Sequence, residues 1–209
     1  HTQNAIGTFG GIARFTGRKW VRFAAIVIAV LVPLSRMYLG VHTPLDVGVA
    51  AVIAVVLVFA LYPVMARSES EPRVMAVVLA VMLALAAGYL LFVSVYPFPA
   101  DVDAENLASG VENAWKLLGA TAGMLAGWWL DVKYIHFDTG GAWYVQAVKL
   151  VGGLALILVI RAGLKVPLAA LLGAGVGGAV RYAVVVLFAA AVWPLTFAPL
   201  RRVLEKRKV

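Results

Sequence analysis

The sequence predicts an all-α polytopic membrane protein, a helical bundle with about 6–7 transmembrane helices. Three observations carry this. Apolar runs of about 20 residues, the length that crosses a bilayer as helix, recur along the chain. Of its 209 residues 63% are hydrophobic and 13% charged, with a mean hydropathy of +0.95, whereas soluble domains are about half apolar and a quarter charged. Most of the basic residues fall in loops between the apolar runs. A transmembrane β-barrel would show short alternating segments instead. The absence of Cys removes disulfides and thiolate metal sites. The net charge of +8 follows from topology and gives no support for nucleic-acid binding. Attraction to anionic membrane lipids is a second consequence.

In chain order, residues 2–15 are apolar and rich in small residues, with Gly7, Gly10 and Gly11 suited to close helix approach. Arg14, Arg18, Lys19 and Arg22 form a basic turn. Residues 21–34 continue towards Tyr38 as a second span, with Pro33 tolerated as a kink. Residues 44–62 make the third span, 65–73 a polar loop, and 74–96 the fourth span. Residues 97–112 form the most polar loop, with Asp101, Asp103, Glu105 and Glu112. The fifth span, 113–130, carries Gly119, Gly123 and Gly127 every four residues, a pattern for close packing. A loop holding Asp131, Lys133, His136 and Asp138 leads to a sixth span at 143–160, and 161–167 reads as a short loop. Residues 168–197 are longer than one span needs. They read either as a half-helix before a span starting near Arg181, or as one tilted helix. Arg181 reads as a boundary or interhelical pairing residue, with contact to a lipid headgroup or a cavity as the other reading. His136 reads as part of a solvated loop.

Seven crossings put 14–22, 65–73 and the basic tail at 201–208 on one side of the membrane. By the positive-inside rule that side is cytoplasmic. The stretch 35–46 and the start of the chain then face the extracytoplasmic side.

That stretch, Ser35-Arg36-Met37-Tyr38-Leu39-Gly40-Val41-His42-Thr43-Pro44-Leu45-Asp46, concentrates a guanidinium, an imidazole and a carboxylate at a membrane boundary, where desolvation is costly. Thr43-Pro44-Leu45-Asp46 reads as a helix start: Thr43 the N-cap, Pro44 the first helical residue, Asp46 at N3 as in a capping box. A helix N-terminus favours phosphate, and Arg36 can hold phosphate oxygens bidentately. His42 and Asp46 can pair across the helix start. Taken singly each residue has a plainer role: Asp46 a cap, Arg36 a snorkelling cation, His42 a structural histidine, Tyr38 an interfacial aromatic.

The combined pattern S-R-x-Y-x-G-x-H-x-x-x-D resembles the third signature motif of the type 2 phosphatidic acid phosphatase (PAP2) superfamily of membrane lipid phosphatases, matched at Ser35, Arg36, Tyr38, Gly40, His42 and Asp46. The opening His1-Thr2-Gln3-Asn4-Ala5 resembles the continuation of that family's second motif, P-S-G-H. The resemblance covers residues 1–62. It implies His42 as the nucleophile forming a phosphohistidine, Asp46 as its orienting partner, Arg36 with Ser35 as phosphate ligands, Tyr38 and Gly40 as pocket residues, and His1 as the acid for the leaving lipid oxygen. It implies metal-independent chemistry with no cofactor.

The family's first motif, K-x-x-x-x-x-x-R-P, and the P-S-G before His1 do not occur in this sequence. The expectation is therefore a piece of a longer protein, inactive or nearly so if it truly begins at His1. Residues 1–63 are expected to be the C-terminal half of the catalytic core, and 64–209 a transmembrane extension packed on it. The expected function is hydrolysis of a lipid phosphate (phosphatidate, phosphatidylglycerol phosphate or an isoprenyl diphosphate) at the extracytoplasmic face of a bacterial or archaeal cytoplasmic membrane. The alternative is a non-catalytic protein of the same fold that binds or transports lipid phosphates. Expected partners are the lipid substrate and membrane lipids, without nucleic acid; a homo-oligomer is left open.

Overall fold

Helix is the only regular secondary structure that apolar runs of this length can form in hydrocarbon, because the backbone must satisfy its own hydrogen bonds there. A computed structural model of the chain, which describes residues 2–99 and 101–206, is built from helices, with no strand among the described residues. They are α1 (Thr2–Phe15), α2 (Lys19–Tyr38), α3 (Pro44–Ser68), α4 (Pro72–Val95), α5 (Ala104–Leu130), α6 (Trp143–Gly163), α7 (Lys165–Leu187) and α8 (Phe197–Lys206). Short π-helical turns extend α5 (Asp131–Ile135) and α7 (Phe188–Val192). The chain is an integral, multi-pass membrane protein. Large apolar side chains such as Trp20, Phe23, Leu85, Leu150 and Leu171 stand exposed on the helices, as they must to face lipid rather than water.

Among the described residues, five segments are long and apolar enough to cross a membrane on their own: α2, α3, α4, α6 and Lys165–Glu205. α1 and α5, both among the seven expected crossings, fall outside this set. At 14 residues, α1 is about 21 Å long. With 27 residues, α5 has the length, but Glu105, Asn106, Glu112, Asn113 and Lys116 in its first half lower its hydropathy.

The chain divides into two compact units, 1–75 and 76–209. In the first, α1 packs against both α2 and α3, while α2 and α3 touch little. Gly10 faces Val58, the Phe15 ring packs at a tilt against Tyr62, and the Arg14 guanidinium lies 4.0 Å from the Tyr62 ring centroid. Arg22 donates to the carbonyls of Ala13 and Thr16 and so closes the end of α1. The α3 helix runs through Pro63 to Ser68, six residues past the expected end.

The second unit is built on the pairing of α5 with α7, its most extensive helix contact. A Cβ at Gly119 would stand 1.9 Å from the Ala179 carbonyl oxygen, and one at Gly123 2.5 Å from that of Ala183. The four-residue glycine spacing thus does what it predicts: it lets two backbones touch. The matched numbering of these contacts shows that the two helices run parallel. The α5 helix begins at Ala104, nine residues before the expected start, because the Asp103 side chain accepts a hydrogen bond from the Asn106 N–H and caps it.

The short loop expected at 161–167 is not a loop. Leu164 has helical dihedrals, and its N–H bonds to the Ile160 carbonyl. Pro167, lacking an N–H, leaves the carbonyl of Gly163 without its helical donor, which marks the junction of α6 and α7 without ending the helical path. The reversal comes instead at Gly173, whose φ of 77° interrupts α7. Leu168 and Gly177 lie nine residues apart, about 13 Å along a straight helix. Yet a Cβ on Gly177 would meet the Leu168 carbonyl oxygen at 2.4 Å. The segment is therefore a half-helix followed by a second helix, as one of the two expectations had it, but the second helix starts after Gly173 and not near Arg181.

At the far end of this unit a polar knot joins α6 to α8. Buried Lys149 donates to the Gly140 carbonyl, Glu205 accepts from the Ala142 N–H, and Arg201 bridges Asp138 and Glu205. The Trp193 indole N–H donates to the Lys149 carbonyl, over Gly153.

Substituting Gly119 by Ala is expected to lower the thermal unfolding midpoint in detergent by several degrees, since overpacking at a backbone contact costs about 1–3 kcal/mol or more. Gly163→Ala, where a Cβ meets nothing within 4 Å, is expected to leave it unchanged.

Candidate functional site

The stretch from Ser35 to Asp46 folds as a helix end, a tight turn and a helix start, each set by local sequence. The α2 helix stops in a Schellman motif. The Val41 N–H bonds back to the Arg36 carbonyl at 3.3 Å, and the Gly40 N–H to that of Met37 at 3.0 Å. Gly40 takes a φ of 68°, a left-handed conformation that costs side-chain-bearing residues about 1–2 kcal/mol. Its importance at this site is conformational.

The α3 helix starts two residues after His42 in the expected capping box. The Asp46 N–H donates to Thr43 Oγ1 at 3.2 Å, and the Thr43 N–H donates to Asp46 Oδ2 at 3.0 Å. The Thr43 hydroxyl also donates to Asp46 Oδ2, at 2.8 Å. Pro44 occupies the first turn, where its missing N–H is not needed.

Succession of α1, α2 and α3 brings the start of α1, the end of α2 and the start of α3 to one end of the first unit. Arg36 occupies the last turn of α2 and is half-buried. Its Nε is enclosed and has no hydrogen-bond partner among the described residues. His42 is exposed and likewise without a hydrogen bond among them. It lies within electrostatic range of Asp46, but the two are not hydrogen-bonded: Thr43 holds Oδ2, and Oδ1 is the oxygen left for the imidazole. Ser35 Oγ donates to the Val32 carbonyl at 2.7 Å, which turns its proton into α2. Tyr38 projects outward, 91% exposed. His1 lies outside the described residues.

The best-defined cleft of this unit, about 410 Å³, opens between α1, α2 and α3, lined by Ile6, Ile26, Val55 and Phe59 among others, with Arg14 and Arg22 at its polar end. It is not beside His42. Ile26 lies ten residues, about 15 Å, along α2 from Arg36. No group of three or more metal-ligating side chains occurs among the described residues.

The Thr43 cap ties the helix start to the orientation of Asp46. Thr43→Val is expected to lower the unfolding midpoint by about 2–4 °C, and Thr43→Ser to preserve it.

Comparison with known proteins gives two matches. The sequence model of the PAP2 superfamily matches residues 1–70, and that described as "PAP2 superfamily phosphatase, transmembrane extension" matches residues 115–206. Neither the curated proteins nor the solved structures give a match.

Proposed function

The chain belongs to the PAP2 superfamily of membrane phosphatases, and from that premise we propose that it hydrolyses a lipid phosphate through a phosphohistidine on His42. The observation that carries the reading is the joint placement of Arg36 and His42. A guanidinium with an unmet Nε–H and an imidazole with no competing hydrogen bond stand at the two sides of the Gly40 turn. Neither group is held by a partner among the described residues.

In the proposed reaction Arg36 holds two phosphoryl oxygens and stabilises their charge as the transition state forms. A ring nitrogen of His42 attacks phosphorus in line. The bond from phosphorus to the lipid oxygen breaks, and that oxygen takes a proton from His1, the proposed acid. Water, giving its proton back to the same base, then attacks phosphorus. The P–N bond breaks, inorganic phosphate leaves and His42 is restored. Asp46, through the oxygen not held by Thr43, orients the imidazole and balances its positive charge. Ser35 joins the phosphate ligands once its hydroxyl turns from the Val32 carbonyl. Tyr38 and Gly40 shape the mouth.

A lipid substrate is supported by the apolar cleft between α1, α2 and α3. It begins within the span of an extended acyl or prenyl chain from Arg36. The basic turn of Arg18, Lys19 and Arg22 at the opposite end of α2 supports a site on the extracytoplasmic face of a bacterial or archaeal membrane. Residues 1–63 then contribute to the catalytic core, and 64–209 form its extension.

The test is phosphate release from phosphatidate, phosphatidylglycerol phosphate and an isoprenyl diphosphate by the full-length protein in proteoliposomes. His42→Ala is expected to fall to background. Arg36→Lys, which loses the planar fork, is expected to fall by about 10²-fold. Undiminished release by the His42 variant would sink the mechanism.

A further inference from the structure

One buried cation belongs to no structural pairing described so far. Arg181, on α7 after the Gly173 reversal, is only 8% exposed. Its Nε is enclosed without a hydrogen-bond partner. No group among the described residues accepts a hydrogen bond from its guanidinium, which lies 5.4 Å from the ring centroid of its neighbour Tyr182. An aromatic face offers a guanidinium far less than oxygen acceptors do once water is removed.

The surroundings are cationic. Glu112 on α5 interacts electrostatically with Lys116, Arg181 and Lys165. Lys116 already holds it, at 2.9 Å. Three cations thus share one carboxylate that is exposed and engaged. Small residues bring them together. The Trp115 indole covers Gly175, the stem of Lys116 lies 3.9 Å from the Cβ position of Gly178, and the Leu168 backbone rests on Gly177. The half-helix starting at Lys165 folds back along the helix that carries Arg181. The Cα–Cβ bonds of a helix tilt towards its N-terminus, which for Arg181 is the side of the Gly173 turn.

We propose that Arg181, with Lys116 and Lys165, binds a phosphate group, either the headgroup phosphate of an anionic phospholipid or a free phosphate ion. The fork of Arg181 supplies a bidentate hold on two phosphate oxygens, and the lysines supply point charges. The site lies wholly within residues 76–209 and does not depend on the chemistry assigned to His42.

The experiment uses the full chain purified in detergent. The unfolding midpoint and the lipid adducts seen by native mass spectrometry are followed while phosphatidylglycerol, phosphatidylcholine or inorganic phosphate is added. Phosphatidylglycerol is expected to raise the midpoint and remain bound through dissociation, and phosphatidylcholine to do neither. A shift by inorganic phosphate alone, lost in Arg181→Gln, identifies the free ion as occupant of the same site.

Arg181→Gln is expected to abolish the anion-dependent shift, and Lys116→Gln/Lys165→Gln to weaken apparent affinity at least about tenfold. Glu112→Gln, by removing the competing carboxylate, is expected to strengthen it. His42→Ala is expected to keep the shift, which separates this site from the phosphatase reading. Should Arg181→Gln fail to fold, the double lysine variant carries the test, because its side chains are exposed or half-exposed. Equal stabilisation by the two lipids with no effect of phosphate, or an anion-dependent shift unchanged in these variants, overturns the proposal.

Discussion

A cation taken out of water needs oxygen or a ring face to replace it, and hydrocarbon supplies neither. Several cationic side chains among the described residues are met in this way. Arg22 closes the end of α1, Arg14 lies over Tyr62, Lys149 reaches the Gly140 carbonyl, and Arg201 spans Asp138 and Glu205. Set against these, the enclosed Nε atoms of Arg36 and Arg181 are unmet among the described residues. Each stands among groups suited to an anion: one beside a helix start and an imidazole, the other beside two lysines. The first falls within the stretch matched to the PAP2 superfamily, the second within that matched to the transmembrane extension of such phosphatases.

Close backbone packing is the second constraint, and it serves the first. Lipid exerts no hydrophobic drive between helices, so α5 and α7 associate through contact of their backbones at Gly119 and Gly123. The tight reversal at Gly173 and the bare face of Gly177 fold the half-helix back on its successor. Together they enclose Arg181, whose surroundings larger residues at these positions would push apart. In the first unit α1 plays the central part, packed on both neighbours and bringing its start to the end where Arg36 and His42 lie.

Features that depend on a few adjacent residues were legible in the sequence. The Thr43–Pro44–Asp46 capping box needs only four positions, and the glycine stripe of α5 only one helix face. The site motif was legible for the same reason: its residues fall within one turn and two helix ends. Elements set by competition were not. Arg161, Lys165 and Pro167 resemble punctuation, yet a proline in a helix's first turn removes a bond that need not be made, and the helical path continues. Asp103 resembled one more acid in a polar loop, although it caps α5. Spacing showed the Thr43–Asp46 capping box but not that both Thr43 bonds fall on Oδ2, which leaves Oδ1 unheld. The Lys149 knot joins residues up to 63 positions apart, beyond what local pattern contains.

The central proposal is that His42 carries the phosphoryl group between lipid and water. The direct measurement is rapid quenching of the full-length enzyme with a lipid phosphate labelled at phosphorus, followed by mapping of the label under conditions that preserve P–N bonds. The proposal predicts a transient, acid-labile and base-stable phosphoryl adduct on His42, formed and lost at rates that match turnover. A labelled adduct on another residue, or turnover that proceeds at full rate with His42 unlabelled throughout, would contradict it.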